Sequence, residues 1–250
     1  MHLLVTRPEN DAGELIDQLE AQGCQVSHFP LLEINFHKAV DFPAQLPQAV
    51  LITSANGARA LAKHARILQL ADTLAISVGA SSAAAAKEAG FKNIVRTASG
   101  DVTGVIDYVR ENLKPEAGSL LYASGSKTSG DLVGQLQTSG FVVDRVVLYR
   151  ADPASELPEA IGEAVRKKNL DGVLLYSPRT AKIWLSLAIG QTGACHGASD
   201  LANIKHYCLS ENVAKIIDQG LGKFSDTIIC KEPDTPSMLQ AVRREFRRAQ

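Results

Sequence analysis

Residues 3–26 and 120–143 of this 250-residue chain lie over one another at a constant offset of 117, without a gap, and eight of the 24 columns are identical. The matches are Leu3/Leu120, Leu4/Leu121, Gly13/Gly130, Leu15/Leu132, Gln18/Gln135, Leu19/Leu136, Gly23/Gly140 and Val26/Val143. They mark an apolar strand, one helix face, the helix stop and the start of a second strand, so each copy reads as a βαβ unit. Further on, Val50-Leu51-Ile52-Thr53-Ser54 resembles Val173-Leu174-Leu175-Tyr176-Ser177, each a buried strand running into a hydroxyl-bearing turn. Ten short apolar runs alternate with helical patterns along the chain. That rhythm belongs to parallel α/β sheets, and its twofold repetition predicts two similar five-stranded halves.

The helices show themselves by period and by their ends. Ala12, Leu15, Ile16 and Leu19 share one face that Gly23 stops, and Val102, Val105, Ile106 and Val109 share another. Near the end, Thr235 offers an N-cap and Pro236 a first-turn proline, while Arg243, Arg244, Arg247 and Arg248 suit the negative end of that helix as a solvated terminus. Pro30–Ile34 and Val147–Ala151 occupy equivalent places after the second strand of each repeat. Polar, proline-bearing stretches follow both, Asn35–Pro47 and Asp152–Pro158, and these read as linkers.

Charge and composition narrow the function. With 26 basic and 27 acidic side chains, a net charge of -1 and 45% apolar residues, the chain lacks the basic footprint of a nucleic-acid binder. No apolar run approaches the roughly 20 residues that span a bilayer, and Met1–Pro8 does not resemble a secretory leader. A cytoplasmic protein with no nucleic-acid or membrane partner is the expectation. Cys24, Cys195, Cys208 and Cys230 are scattered, and none has a histidine at zinc-ligand spacing. They read as reduced structural thiols. The histidines, His2, His28, His37, His64, His196 and His206, read as surface or packing residues.

No P-loop, dinucleotide fingerprint or nucleophile elbow is present, and Gly125-Ser126-Lys127-Thr128 only faintly echoes a phosphate loop. What recurs is a small or hydroxylated residue between a strand and the next helix: Thr6, Thr53-Ser54, Gly79-Ala80-Ser81-Ser82, Ser124–Thr128, Ser177 and Ser210. Such turns expose helix N-terminal amides, which attract carboxylates or phosphates and let them approach the backbone. Plain helix capping accounts for any one of them. Six together suit a polyanionic ligand.

In the same places the chain resembles the uroporphyrinogen-III synthase family. The resemblance rests on Leu4-Val5-Thr6-Arg7-Pro8, Leu51–Gly57, Val78–Ala83 with Gly90, Val147-Leu148-Tyr149, Leu175–Pro178 and Thr235-Pro236-Ser237-Met238-Leu239. These segments are individually weak, and their order and spacing over nearly the whole chain carry the specificity. The resemblance implies two α/β domains joined by a two-stranded hinge, the first built from 1–36 plus 152–250 and the second, inserted, from 40–148. Each βαβ repeat then sits in the domain opposite the rest of its own half.

The family's substrate is hydroxymethylbilane, a linear tetrapyrrole with eight carboxylates. A hydro-lyase of this kind closes it to uroporphyrinogen III with loss of water and inversion of ring D, without metal or other cofactor. The resemblance makes Tyr149 the acid for the departing hydroxyl. It puts Arg7, Thr53, Ser54, Asn56, Gly79, Ser82, Gly125, Lys127 and Ser177 among the substrate-binding candidates. Ser210-Glu211-Asn212 departs from the family pattern, since Glu211 repels a carboxylate. A monomer in transient contact with the enzyme that supplies the bilane is the expected assembly. The alternative is a non-catalytic two-domain binding protein for a small polyanion.

Overall fold

The computed structural model describes residues 1–37, 40–128, 130–189 and 197–248, so Cys195 and His196 lie outside the described residues. The chain divides into two compact units, Met1–Glu33 with Asp152–Gln250, and Ile34–Ala151.

The first unit opens with β1 (His2–Val5), α1 (Glu9–Glu20), β2 (Gln25–His28) and the first residues of β3 (Leu32–Phe36). The second unit holds the rest of β3, then β4 (Ala49–Ile52), α2 (Ala55–Ala62), α3 (Ile67–Leu70), β5 (Leu74–Ser77), α4 (Ala80–Glu88) and β6 (Ile94–Arg96). It continues through α5 (Val102–Asn112), β7 (Leu120–Gly125), α6 (Leu132–Thr138) and most of β8 (Val143–Pro153). The first unit is completed by α7 (Glu159–Arg166), β9 (Gly172–Leu175), α8 (Pro178–Ile189), β10 (Lys205–Cys208), α9 (Glu211–Leu221), β11 (Thr227–Ile229) and α10 (Thr235–Arg248).

The repeat is visible in the registers. Leu3 pairs with Val26 in the first unit and Leu120 with Val143 in the second, the same partners displaced by the offset of 117. Gly23 and Gly140 both stop their helices with positive φ, +83° and +87°, where a side chain would be strained. The copies diverge between those points. Gly13 lies inside α1, whereas Gly130 adopts φ +73° ahead of the shorter α6.

In the first unit the sheet order is β11-β10-β9-β1-β2, and all of its pairings are parallel. Residues alternate across it. Leu3, Val5 and Leu174 face a core closed by Leu15 and Leu19 of α1 and Met238 and Val242 of α10. Leu4, Val173 and Leu175 face a second core with Val165 of α7, Trp184 of α8 and Ile217 of α9. The second unit repeats the plan. Val50, Ile52 and Leu121 pack on α2 and α4, while Leu51, Leu120 and Tyr122 pack on α5 and α6. Burial on both faces explains why these strands are continuous apolar runs rather than alternating ones.

The second sheet has six strands, ordered β3-β8-β7-β4-β5-β6, which corrects the expectation of two five-stranded parallel sheets. The extra strand is β3, which runs from the Pro30–Ile34 segment into the first two residues of the stretch that reads as a linker. Ala154 N–H donates to Leu31 O and His37 N–H to Leu148 O, so β3 runs antiparallel to β8. Leu32, Ile34 and Phe36 alternate with Glu33 and Asn35, a half-covered edge pattern. The second expected linker is corrected too, because β8 continues to Pro153. The chain therefore passes from one unit to the other within β3 and returns within β8.

Asp234, not Thr235, supplies the capping carboxylate of α10, accepting from Ser237 N–H at 2.8 Å. Cys24, Cys208 and Cys230 are free and buried. Among the described residues no helix is long and apolar enough to cross a membrane.

Candidate functional site

Counting from its βαβ repeat, each unit has strand order 2-1-3-4-5, so the chain reverses direction beside strand one. In open α/β sheets the carboxyl ends of the strands flanking such a reversal are the usual ligand position. In the second unit those strands are β7 and β4, and in the first they are β1 and β9. Arg7, Thr53, Ser54, Gly125, Lys127 and Ser177 fall at or just beyond these strand ends.

In the second unit β4 ends at Ile52 and runs into Thr53 and Ser54. Ser54 is the N-cap of α2, its Oγ accepting from Gly57 N–H at 3.1 Å. The same oxygen lies 2.7 Å from the Tyr149 hydroxyl. Thr53 Oγ1 pairs in parallel with the buried Tyr122 hydroxyl at 3.1 Å. Two neighbouring side-chain hydroxyls thus each meet a phenol.

Tyr149 reaches Ser54 because of a bulge. Ser124 pairs with Val147 but Gly125 pairs with Tyr149, leaving Leu148 as an extra residue in β8. An extra residue re-aims the side chains that follow it. Here it lays the half-buried Tyr149 ring over Gly125, the candidate at the end of β7, where a β carbon would stand 2.8 Å from Cζ. Sequence reasoning missed Arg145. Its Nε donates to Ser124 Oγ at 3.1 Å, and its Nη2 donates to Gly125 O at 3.0 Å and Ser126 O at 3.2 Å. Lys127 follows in the same loop and is exposed.

Other candidates on this edge serve the backbone. Asn56 Oδ1 accepts from Arg59 Nη1 at 3.1 Å. Gly79 is the N-cap of α4, in extended backbone, with open space where a β carbon would go. Ser82 is buried, and its hydroxyl accepts from Gly79 N–H and donates to Gly79 O, so it closes the cap. The open ground beside Gly79 and the first-turn amides of α4 are what a ligand could meet there.

In the first unit Arg7 follows β1. Its guanidinium lies 4.6 Å from the centre of the Tyr176 ring and donates to Thr235 Oγ1 at 3.1 Å. Burial pushes the Tyr176 phenol up to about 12, and the nearby Arg7 charge pulls the other way. Next to Tyr176, Ser177 exchanges hydrogen bonds with Thr180 through both backbone and side chain, a reciprocal cap at the start of α8. A pocket of about 260 Å³ beside Arg7 and Thr235 also carries Asp11 and Glu14. Glu211 occupies the first turn of α9 and is exposed.

Tyr149, Ser54, Thr53 and Gly125 are thus brought together, and Gly79 and Ser82 sit on the same edge two strands from β7. Arg7 and Ser177 share the corresponding edge of the first unit. A phenol fixed by a serine hydroxyl, with helix amides around it, can hand a proton to an oxygen leaving group and hold carboxylates close by.

Known proteins resemble this chain in sequence and in fold. The "Porphyrin biosynthesis protein HemD" of Ruminiclostridium josui is 25% identical over 198 residues, 72% of this chain. The match covers 38% of that relative, so the chain spans well under half its length. A mutant uroporphyrinogen III synthase of the extreme thermophile Thermus thermophilus has the same fold, with TM-score 0.58 and 18% identity over 99% of each chain. The uroporphyrinogen-III synthetase of Helicobacter pylori gives TM-score 0.66 and 14% identity, covering 96% of this chain and 97% of that one. The family model described as uroporphyrinogen-III synthase HemD matches residues 13–240, and the chain belongs to that family.

Proposed function

We propose that this protein closes hydroxymethylbilane to uroporphyrinogen III, losing water and inverting ring D. The observation that carries the reading is the Tyr149 hydroxyl 2.7 Å from Ser54 Oγ at the carboxyl edge of the second sheet. Ser54 already accepts the Gly57 amide proton. With the Ser54 proton given to the phenol oxygen, the phenolic hydrogen is left to turn outward toward the substrate. A hydrogen bond received by the phenol oxygen also stabilises the phenolate that forms when the proton leaves.

The bond from the hydroxymethyl carbon to oxygen breaks as Tyr149 protonates the departing oxygen, and water forms. The pyrrole nitrogen stabilises the resulting cation. Ring D attacks through its substituted carbon to give a spiro intermediate; the older bond from that carbon to the methylene of ring C then breaks, and the methylene bonds instead to the free α carbon of ring D. The proton released as ring D regains aromaticity restores the phenol. Much of this reactivity belongs to the bilane, so the protein's task is to hold it where inverted closure outruns simple closure.

Arg7, Thr53, Asn56, Lys127 and Ser177 take substrate carboxylates, Gly79 and Ser82 keep their turn small enough for one to approach, and Gly125 leaves room for the Tyr149 ring. The strands β3 and β8, through which the chain crosses between units, serve as the hinge. The enzyme works in the cytoplasm, in transient contact with the enzyme that makes the bilane.

Freshly prepared hydroxymethylbilane incubated with the protein, oxidised and resolved into porphyrin isomers tests the reading. Isomer III in excess of a buffer control is expected. Isomer I alone, as in buffer, overturns the enzyme and leaves a polyanion-binding protein.

A further inference from the structure

A charged side chain with no part in the chemistry above bonds to the start of the β7–α6 loop. Arg145 stands on β8 opposite Tyr122, and its guanidinium reaches along the sheet edge to Ser124 Oγ, Gly125 O and Ser126 O. These three acceptors belong to consecutive residues and span the point where the register shifts. Ser126 N–H in turn donates to Tyr149 O at 2.9 Å, and the missing side chain of Gly125 is the space the Tyr149 ring fills. Ser124 Oγ passes its own proton to Val146 O at 3.2 Å, closing the circuit back onto β8.

We propose that Arg145 is a positioning residue for Tyr149. This rests on the reading of Tyr149 as the acid. Arg145 pins the two carbonyls after the bulge and so fixes the floor and the backbone partner of the tyrosine. The ring can then lie only over Gly125 with its hydroxyl at Ser54. A planar fork of donors suits three acceptors fanned around one end, and an ammonium, a single point of charge on a flexible stem, does not. Arg145 is exposed, so its place on this edge is not explained by packing.

The test compares Arg145→Ala, Arg145→Lys and Tyr149→Phe with wild type, alone and combined. Arg145→Ala is expected to lower kcat for isomer III about 10- to 100-fold, the cost of misplacing a reacting group by about 1 Å, with KM within about twofold. Arg145→Lys should fall between, and added guanidinium ion should restore part of the alanine variant's rate. Arg145→Ala placed on Tyr149→Phe should slow the reaction no further, because the residue acts only through the phenol. Wild-type kcat in Arg145→Ala, or losses that multiply in the double variant, overturns the proposal.

Amide exchange at Ser126 supplies a readout free of the reaction. At least tenfold faster exchange in folded Arg145→Ala is expected, and unchanged exchange overturns the clamp whatever Tyr149 does. If Tyr149→Phe keeps the wild-type rate, the acid assignment falls. The Ser126 measurement then still decides whether Arg145 sets the tyrosine's place.

Discussion

Gly125 and Tyr149 share one space. A β carbon on the glycine would stand 2.8 Å from Tyr149 Cζ, 2.9 Å from Cε2 and 3.1 Å from the hydroxyl oxygen, so the ring occupies the volume a side chain would need. The glycine is there for close approach, not for backbone freedom. Its φ is absent from the positive-φ glycines, which include Gly130 nearby.

Gly125→Ala should therefore move the ring off Ser54 without unfolding the sheet. Overpacking of this kind costs about 1–3 kcal/mol, and a displaced acid about 10- to 100-fold in rate. Thermal unfolding and the rate of isomer III formation check the two effects together. An unchanged rate would mean that the ring position over Gly125 does not matter to the chemistry.

Arg7→Gln should act on binding more than on turnover. The guanidinium stacks on Tyr176 and bonds Thr235, contacts worth about 0.5–1 kcal/mol at a partly exposed site, so a small loss of stability is expected. If Arg7 also meets a carboxylate, losing that charge-assisted bond raises KM about tenfold or more and leaves kcat nearly unchanged. Steady-state kinetics separate the two. Removing the guanidinium also lifts the Tyr176 phenol further, seen as a later rise in ultraviolet absorbance on titration.

Acid should weaken the first unit through His206. This side chain is fully buried on β10, takes a hydrogen bond from Trp184 Nε1 at 3.1 Å, and is held down to about 4 by burial, partly opposed by Asp226 and Asp218. Unfolded, it takes up a proton near 6.5. Between those values the unfolded state binds more protons, so stability is complete above about pH 6.5 and declines as pH falls toward 4. The loss approaches about 3 kcal/mol at the lower end. Urea unfolding at pH 7 and pH 4.5 should show the decline in wild type and a shallower one in His206→Gln, which keeps an acceptor for Trp184. Equal slopes would exonerate the histidine.

The parts of the fold that depend on repeated local chemistry are open to sequence reading. The βαβ registers follow from apolar runs and helix-stop glycines that recur at a fixed offset. β3 is not legible, because Leu32–Phe36 lies between Pro30 and a polar, proline-bearing stretch. It becomes a strand only when β8 offers its edge. The cap of α10 falls one residue from its expected place because Asp234 and Thr235 can both cap, and Arg7 recruits the threonine. On the site, the tyrosine comes from family resemblance, while Thr53 and Ser54 already stand out as one of the recurring hydroxyl-bearing turns. The contact between Ser54 and Tyr149, 95 positions apart, comes only from the register shift in β8. Arg145 has no signal, since a lone arginine on a strand normally reads as a solvated face.

The account turns on a single phenolic oxygen, and the initial rate of isomer III formation by Tyr149→Phe, measured beside wild type on freshly made bilane, tests it most directly. Loss of a positioned general acid lowers such a rate about 10²- to 10⁴-fold, and that fall is expected with unfolding temperature nearly unchanged. A variant that makes isomer III at the wild-type rate would contradict it.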